Sequence, residues 1–307
     1  MKSHTLFSRP IFAICITLFV CLLWGSLYPL IKVGYQAFHI ISTDIPSVLL
    51  FAGVRFTFSG IIMVLVFSLQ NKRWILPPAK TWPSICGVAV TNIALHYMLT
   101  YLALSVGEGS KSAIIKQVGF LFLSCFSFVF MKNEHFSVRN LLCGVLGFAG
   151  IVVTNLNGGG FSFALGDLLL IGASFCAVAG TVLTKRTVER CSPLSLVAYS
   201  QLLGGLLLLM AGMVSGGKIP HIDGNAVGIF AYICLASILA YSLWNILIRY
   251  HSLSMLSIIK FTEPLFAVLL SGMLLHENIW RWNYGVALLM IAVAIILDHA
   301  KVTEAKE

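Results

Sequence analysis

Long apolar runs separated by short polar connectors recur along the whole chain. Each run is about 20 residues long, which is the length that an α-helix needs to cross the hydrocarbon core of a bilayer. The predicted spans are residues 11–31, 46–69, 83–104, 113–131, 138–156, 165–184, 194–214, 226–248, 255–275 and 282–298. The pattern therefore predicts an all-α integral membrane protein with ten transmembrane helices, and the connectors leave no room for a further domain of useful size.

The composition excludes an ordinary soluble protein. Of 307 residues, 59% are hydrophobic and only 10% are charged, whereas soluble domains carry about 25% charged residues. The net charge of +9 does not indicate nucleic acid, because the basic residues lie mostly in short loops beside the apolar runs. The expected partner surface is the lipid bilayer.

The basic residues also predict the orientation of the chain. With the N-terminus inside, thirteen of the 20 Lys and Arg residues fall on the inner side, four on the outer side and three within spans. Because inner loops of membrane proteins are enriched in Lys and Arg, we expect both termini to be cytoplasmic. The first run is too long for a cleaved signal peptide.

The chain contains an internal repeat. Residues 114–116 recur as 258–260, Tyr97 is matched by Tyr241 at the same offset, and Glu134 is matched by Glu277 one position off that register. The repeated units are residues 11–156 and 165–298. Five helices per unit is an odd number, so the second unit is expected to cross the membrane in the opposite direction. Inverted repeats of this kind are common in secondary transporters.

Several motifs resemble the EamA family of the drug/metabolite transporter superfamily, and the likeness extends over essentially the whole chain. The matching segments are Leu23-Trp24-Gly25-Ser26 with Lys32, Val54-Arg55-Phe56, residues 179–186, and Glu263-Pro264-Leu265-Phe266 continuing to His276-Glu277. This resemblance implies ten helices in two five-helix repeats and transport of small metabolites or drugs across the inner cell membrane, often outward. It does not imply a substrate. One departure is Gly119-Phe120, where the family commonly has proline, so any kink in the fourth span must arise differently.

Charged residues within spans are costly and are candidates for function. Lys260 and Glu263 share one helix face at a spacing of three residues, and Lys116 occupies the corresponding place in the first unit. We expect all three to bind substrate, with Glu263 as the site for a substrate amine or a coupling proton. The alternative is that Lys116 snorkels to the outer interface and that Lys260 pairs with Glu263 for structural reasons alone.

The remaining candidates are polar and aromatic residues of the other spans. Arg55 lies deep in the second span, where it either lines a cavity or packs helices together. Asn92 and His96 form a polar stripe at helical spacing, and His96 either relays protons or makes a packing hydrogen bond. Pro264 removes a backbone hydrogen bond next to Glu263, which suits a gating element.

Aromatic residues supply candidates for the walls of a cavity. Trp24, Tyr97 and Tyr241 are assigned to substrate binding, with Tyr28 and Trp244 as further members. Packing and interface anchoring are the ordinary alternatives for such residues in membrane helices.

Taken together, the residues favour a secondary transporter that moves small polar metabolites such as amino acids or organic acids by alternating access, and the resemblance to the EamA family implies that it is an exporter. Efflux of hydrophobic drugs or organic cations is the alternative. HExxH, GxSxG and Walker motifs are missing from the sequence, so we expect neither an enzyme nor a metal site nor a cofactor. A receptor or scaffold would need a larger surface outside the membrane. Proton coupling and homodimerisation stay open.

Overall fold

The computed structural model describes residues 7, 9–119, 142, 145–146, 149–150, 152–153, 156–157, 160–161, 163–219, 224–251, 256, 259–260, 262–290 and 292–293. Ten α-helices are labelled here in chain order: α1 Pro10–Ala37, α2 Ile45–Gln70, α3 Trp82–Val88, α4 His96–Val106, α5 Gly109–Ile115, α6 Leu165–Thr187, α7 Pro193–Val214, α8 Gly224–Tyr250, α9 Thr262–Leu275 and α10 over 282–290. Two short strands, β1 Leu156–Asn157 and β2 Gly160–Phe161, pair antiparallel.

Six of the helical segments are long and apolar enough to cross a membrane. They are Ile11–Ala37, Ile45–Gln70, Ala79–Val106, Leu165–Thr187, Pro193–Val214 and Ala226–Tyr250. Each coincides with a span predicted from the sequence, so the chain is a multi-pass membrane protein. The predicted spans 113–131 and 138–156 fall largely outside the described residues, and the spans 255–275 and 282–298 do so in part.

The fourth predicted span begins earlier than expected. Its helix α5 starts at Gly109 rather than at residue 113. Glu108 precedes the first turn in extended conformation, and its backbone carbonyl oxygen accepts a hydrogen bond from Ser112 Oγ at 2.7 Å. The polar residues of this first turn do not belong to an apolar run. A prediction based on hydrophobicity therefore could not include them in the helix.

The third span is interrupted by a different kind of helix. Between α3 and α4, residues Ala89–Leu95 form a π-helix, a form that is rare and often occurs at functional sites. On α6, Gly180 lies directly against Asn92 of this segment, so closely that a Cβ atom there would overlap the asparagine side chain. Gly180 thus lets the π-helical part of the third span approach α6 at Asn92.

Helices α2 and α7 pack together in opposite directions through small residues. Their contacts, each made by a glycine on one helix, pair Leu50 with Gly212, Gly53 with Leu209, Thr57 with Gly205, and Gly60 with Leu202. Residue numbers rise along α2 while those of the partners fall along α7, which is the signature of an antiparallel pair. Glycines permit such close backbone contact between membrane helices.

Helix α1 lies between α8 and α9. Its contacts with α9 rise together along both helices, from Gly25 against Glu263 to Lys32 against Glu277, so α1 and α9 run in parallel. A Cβ atom on Gly25 would lie 2.8 Å from Phe266 Cβ and 2.9 Å from the Glu263 carbonyl oxygen. This contact explains why the motif that begins at Leu23 contains a glycine.

Candidate functional site

A cavity of about 100 Å³ lies inside the helix bundle. Its walls come from α1, the third span, the segment after α5, α6, α8 and the region of α9, whereas none of the lining residues belongs to α2 or α7. The lining residues include Trp24, Tyr28, Asn92, His96, Tyr97, Thr100, Lys116, Gln117, Gly119, Ser174, Thr181, Tyr241, Trp244, Lys260 and Glu263. Eight of the nine residues that the sequence assigned to substrate binding therefore meet in one cavity.

Both lysines of the spans direct their amines over aromatic rings of this cavity. Lys116 Nζ lies 5.4 Å from the ring centres of both Tyr28 and Tyr97. Lys260 Nζ lies 4.3 Å from the ring of Trp24 and 5.0 Å from that of Trp244. Such cation–π contacts stabilise an amine away from water. The two amines therefore point into the bundle instead of snorkelling to the membrane surface.

Glu263 is buried among these groups. Its Oε2 lies 3.7 Å from Lys260 Nζ, and its Oε1 accepts a hydrogen bond from the Tyr28 hydroxyl at 3.4 Å. Because this carboxylate faces two amines, the described part of the cavity carries a net positive charge. Pro264, the expected gating residue, is buried next to Glu263.

Helix α5 of the fourth span ends at Ile115, and Lys116 and Gln117 form a turn although no proline is present there. Gln117 N–H donates to the Ile114 carbonyl in a tighter turn, and the Ser174 hydroxyl of α6 lies 3.0 Å from the Lys116 carbonyl. A Cβ atom on Gly119 would lie 3.1 Å from Ser174. The interruption thus arises from a turn that α6 supports, and it does not depend on a proline.

The polar stripe of the third span faces the same cavity. His96 is buried, and its Nδ1 donates a hydrogen bond to the Ala173 carbonyl of α6 at 2.8 Å. Since a carbonyl can only accept, the proton of the neutral ring sits on Nδ1 and the lone pair on Nε2. Thr100 donates to the His96 carbonyl at 2.8 Å. This geometry anchors the ring; the proton relay predicted from the sequence stays a prediction.

Arg55 does not line the cavity but lies behind it, fully buried. Its guanidinium donates to Ser237 Oγ at 3.1 and 2.6 Å and to the Tyr101 hydroxyl, and it lies 4.6 Å from the ring of Phe56. The sequence had left a cavity role and a packing role open. In the structure this side chain joins α2, α4 and α8, which is a packing arrangement.

Ion pairs join several helices and loops at one end of the bundle. Glu277 after α9 accepts from Lys32 Nζ at 3.3 Å and from the Gly109 N–H at 2.9 Å. Glu108 accepts two hydrogen bonds from the Arg281 guanidinium at 3.0 and 3.1 Å. These contacts tie the end of α1 to the start of α5 and to the loop after α9.

A third ion pair lies at the same end, where Lys111 of α5 contacts Asp167 of α6 at 3.0 Å. Asp167 also accepts from the Ala164 N–H, so it caps the start of its own helix. Sequence reasoning missed Asp167 and Glu108, because their partners come from distant parts of the chain. It also missed Gln117, although an amide within an apolar run was a signal that could have been used.

These observations define a multi-pass membrane protein with a charged, aromatic cavity between its helices. The sequence profile of the EamA-like transporter family matches residues 11–156 and, a second time, residues 164–297. The chain belongs to this family, and it is accordingly a transporter of the drug/metabolite type.

Related proteins carry transporter names. The chain is 28% identical over 288 residues to the uncharacterized transporter YvbV of Bacillus subtilis (strain 168), covering 92% of this chain and 90% of that protein. It is 26% identical over 299 residues to the S-adenosylmethionine/S-adenosylhomocysteine transporter of Chlamydia muridarum (strain MoPn / Nigg), covering 91% and 88% of the two chains.

The fold is similar to that of a protein whose crystal structure has been solved. That structure superposes with a TM-score of 0.68 at 16% sequence identity and covers 96% of this chain and 99% of its own. At this identity the likeness concerns the fold alone.

Proposed function

We propose that this protein is a secondary transporter that exports small zwitterionic or acidic metabolites, such as amino acids, across the inner membrane. The observation that carries the proposal is the meeting of Lys116, Lys260 and Glu263 in one cavity. Two amines can bind a substrate carboxylate, and the single carboxylate can bind a substrate amine. An amino acid carries both of these groups.

The charge of the surroundings supports an anionic or zwitterionic substrate. Arg55, a layer behind the cavity, is bonded to hydroxyl groups and rings in the described contacts, none of which is a carboxylate. Burying positive charge is costly, and a substrate carboxylate offsets part of that cost. When Glu263 separates from Lys260, its carboxylate can take up and release a proton. We therefore include proton coupling in the proposal.

The proposed mechanism is alternating access by two inverted five-helix repeats. It is supported by the family profile, which matches the chain twice, and by the antiparallel packing of α2 and α7, the second helices of the two units. The ion pairs around Glu277 close one end of the bundle. We propose that this end faces outward, as the distribution of basic residues suggests, with both termini inside.

Efflux of organic cations is the second candidate. The aromatic rings of Trp24, Trp244 and Tyr241 are a suitable surface for a cation. In that case Glu263 would attract the substrate, and the two lysines would repel it. The two candidates therefore predict opposite effects of removing the lysine charges.

The experiment is counterflow into proteoliposomes with a panel of amino acids, organic acids and organic cations, with and without a pH gradient. We expect the wild type to exchange amino acids, and Lys116→Gln or Lys260→Gln to reduce that exchange at least tenfold, the size of a lost charge-assisted hydrogen bond of about 1.5–3 kcal/mol. Lys80→Gln, at an exposed position outside the cavity, is the matched control.

Two results would contradict the proposal. One is exchange of organic cations that persists or increases in both lysine variants. The other is amino acid exchange that Lys80→Gln reduces as much as Lys260→Gln does. A dependence on the pH gradient that disappears in Glu263→Gln supports proton coupling, whereas an unchanged dependence removes Glu263 from that role.

A further inference from the structure

Gln117 is a cavity residue with an unused hydrogen-bonding group. Its side chain is only 2% exposed, and its Oε1 atom has no hydrogen-bond partner among the described residues. It follows Lys116 at the turn that interrupts the fourth span. A buried amide oxygen without a partner costs on the order of 1–3 kcal/mol, and a hydrogen bond from a bound molecule would offset that cost.

Trp24 of α1, which also lines the cavity, offers the complementary group. It is 7% exposed, and its Nε1 donor also lacks a partner among the described residues. Its ring contacts Tyr241 and Trp244 edge to face, with centres 5.5 and 5.4 Å away. A donor and an acceptor without partners among the described residues therefore belong to a cavity lining that includes five Trp and Tyr residues.

We infer that Gln117 and Trp24 form a neutral subsite for a planar, hydrogen-bonding ring of the nucleobase type, carried by the same substrate whose amino acid end binds Lys260 and Glu263. This inference rests on the proposed function. Flat rings stack on Trp and Tyr side chains whatever their sequence context. A glutamine amide can bond simultaneously to a donor and an acceptor on the edge of an adenine ring.

The two subsites recognise different parts of the substrate, because one is charged and the other is neutral. Lys116, Lys260 and Glu263 are charged and recognise the carboxylate and the amine. Gln117 and Trp24 are neutral and add no affinity for a free amino acid, but a ring that left them unpaired would lose binding. One relative is named as a transporter of S-adenosylmethionine and S-adenosylhomocysteine, molecules that join an amino acid to adenosine, so these compounds are suitable probes.

The test is equilibrium binding of S-adenosylhomocysteine and of methionine to the purified full-length protein in detergent. We expect the wild type to bind S-adenosylhomocysteine more tightly than methionine. Gln117→Met keeps the length of the side chain and removes the amide. It should weaken S-adenosylhomocysteine binding about tenfold, as the loss of a bidentate contact to a base predicts, and change methionine binding less than twofold.

Two further variants make the result specific. Trp24→Phe keeps an aromatic ring but lacks the N–H donor, and it should likewise weaken S-adenosylhomocysteine binding more than methionine binding. Gln36→Met removes an exposed glutamine at the end of α1 and should leave both affinities unchanged. Lys260→Gln should weaken both ligands by a similar factor.

The outcomes separate this inference from the proposed function. If methionine binds and depends on Lys260, but Gln117→Met weakens both ligands equally or neither, the nucleobase subsite is wrong while the amino acid site stands. If the wild type binds neither ligand, or if Lys260→Gln changes neither affinity, the proposed function is wrong and the subsite is wrong with it.

Discussion

The hydroxyl oxygens of Tyr97 and Tyr241 lie 2.7 Å apart in a hydrogen bond that Tyr241 donates. These two residues are also the pair that the internal repeat matches at an offset of 144 positions. In a two-fold arrangement, a residue next to the axis contacts its own copy. The bond is therefore what an axis relating the two proposed repeats would produce, at the wall of the cavity.

This hydrogen bond predicts a coupled pair of substitutions. Tyr97→Phe or Tyr241→Phe should each lower the free energy of unfolding by about 1 kcal/mol, the typical net value of a neutral hydrogen bond. The double variant should cost no more than the larger single effect, because the bond is lost only once. Chemical unfolding in detergent measures the three values. Strictly additive losses would contradict direct contact.

The ion pairs around Glu277 predict how the closed end opens. Glu277→Gln removes the charge that faces Lys32 and weakens the bond to the Gly109 N–H. If the pair contributes about 1 kcal/mol to the closed state, the open population should rise roughly fivefold. A cysteine at Leu104, in the cavity lining, should then react about that much faster with an impermeant maleimide added on the side of Lys32.

Glu189→Gln is the control for this experiment, because Glu189 is exposed in the connector after α6. It should leave the rate of labelling unchanged. Equal acceleration by both variants would indicate a general loosening of the bundle. No acceleration by Glu277→Gln would show that these contacts do not hold the end closed.

The contact between Gly180 and Asn92 predicts a position-specific effect on α6. Gly180→Ala forces a Cβ atom into the Asn92 side chain and should cost about 1–3 kcal/mol of unfolding free energy. Gly172→Ala, on the same helix, meets only the flexible end of Leu99 at 3.3 Å and should be nearly neutral. Thermal unfolding compares the two proteins. Equal melting temperatures would contradict the packing of the π-helix against α6.

Arg55 predicts a loss of stability without a loss of ligand affinity. Arg55→Lys has one nitrogen in place of the planar guanidinium, so it cannot bond to Ser237 and Tyr101 as Arg55 does. We expect it to lower the free energy of unfolding by about 2–3 kcal/mol. The dissociation constant of the folded fraction for methionine should change less than twofold. Unchanged stability with lost binding would instead favour a direct contact between Arg55 and the substrate.

The membrane spans could be predicted from the sequence, because length and apolar composition are local properties. The π-helix over Ala89–Leu95 could not be predicted, since its residues have the composition of an ordinary apolar helix. Its form accompanies contact with Gly180, which lies on another span. The early start of α5 was missed for the related reason that its first turn is polar and is stabilised by contacts with distant residues.

The candidate site was predicted in its ionic part and missed in its neutral part. Lys116, Lys260 and Glu263 stood out because a charge within an apolar run is conspicuous. Gln117 did not stand out, because its importance depends on the turn that carries it and on the lack of a partner. Arg55 was equally conspicuous, yet its position behind the cavity depends on the packing of α2, α4 and α8, which sequence patterns do not specify.

The most direct measurement concerns access to the cavity from the two sides of the membrane. Thr181 lines the cavity, and Thr181→Cys can be introduced into a variant whose eight native cysteines are replaced. Alternating access predicts that an impermeant thiol reagent labels this cysteine from either side, and that a transported amino acid slows the labelling from both. Labelling from one side only, at a rate that no substrate changes, would contradict the transport pathway proposed for this cavity.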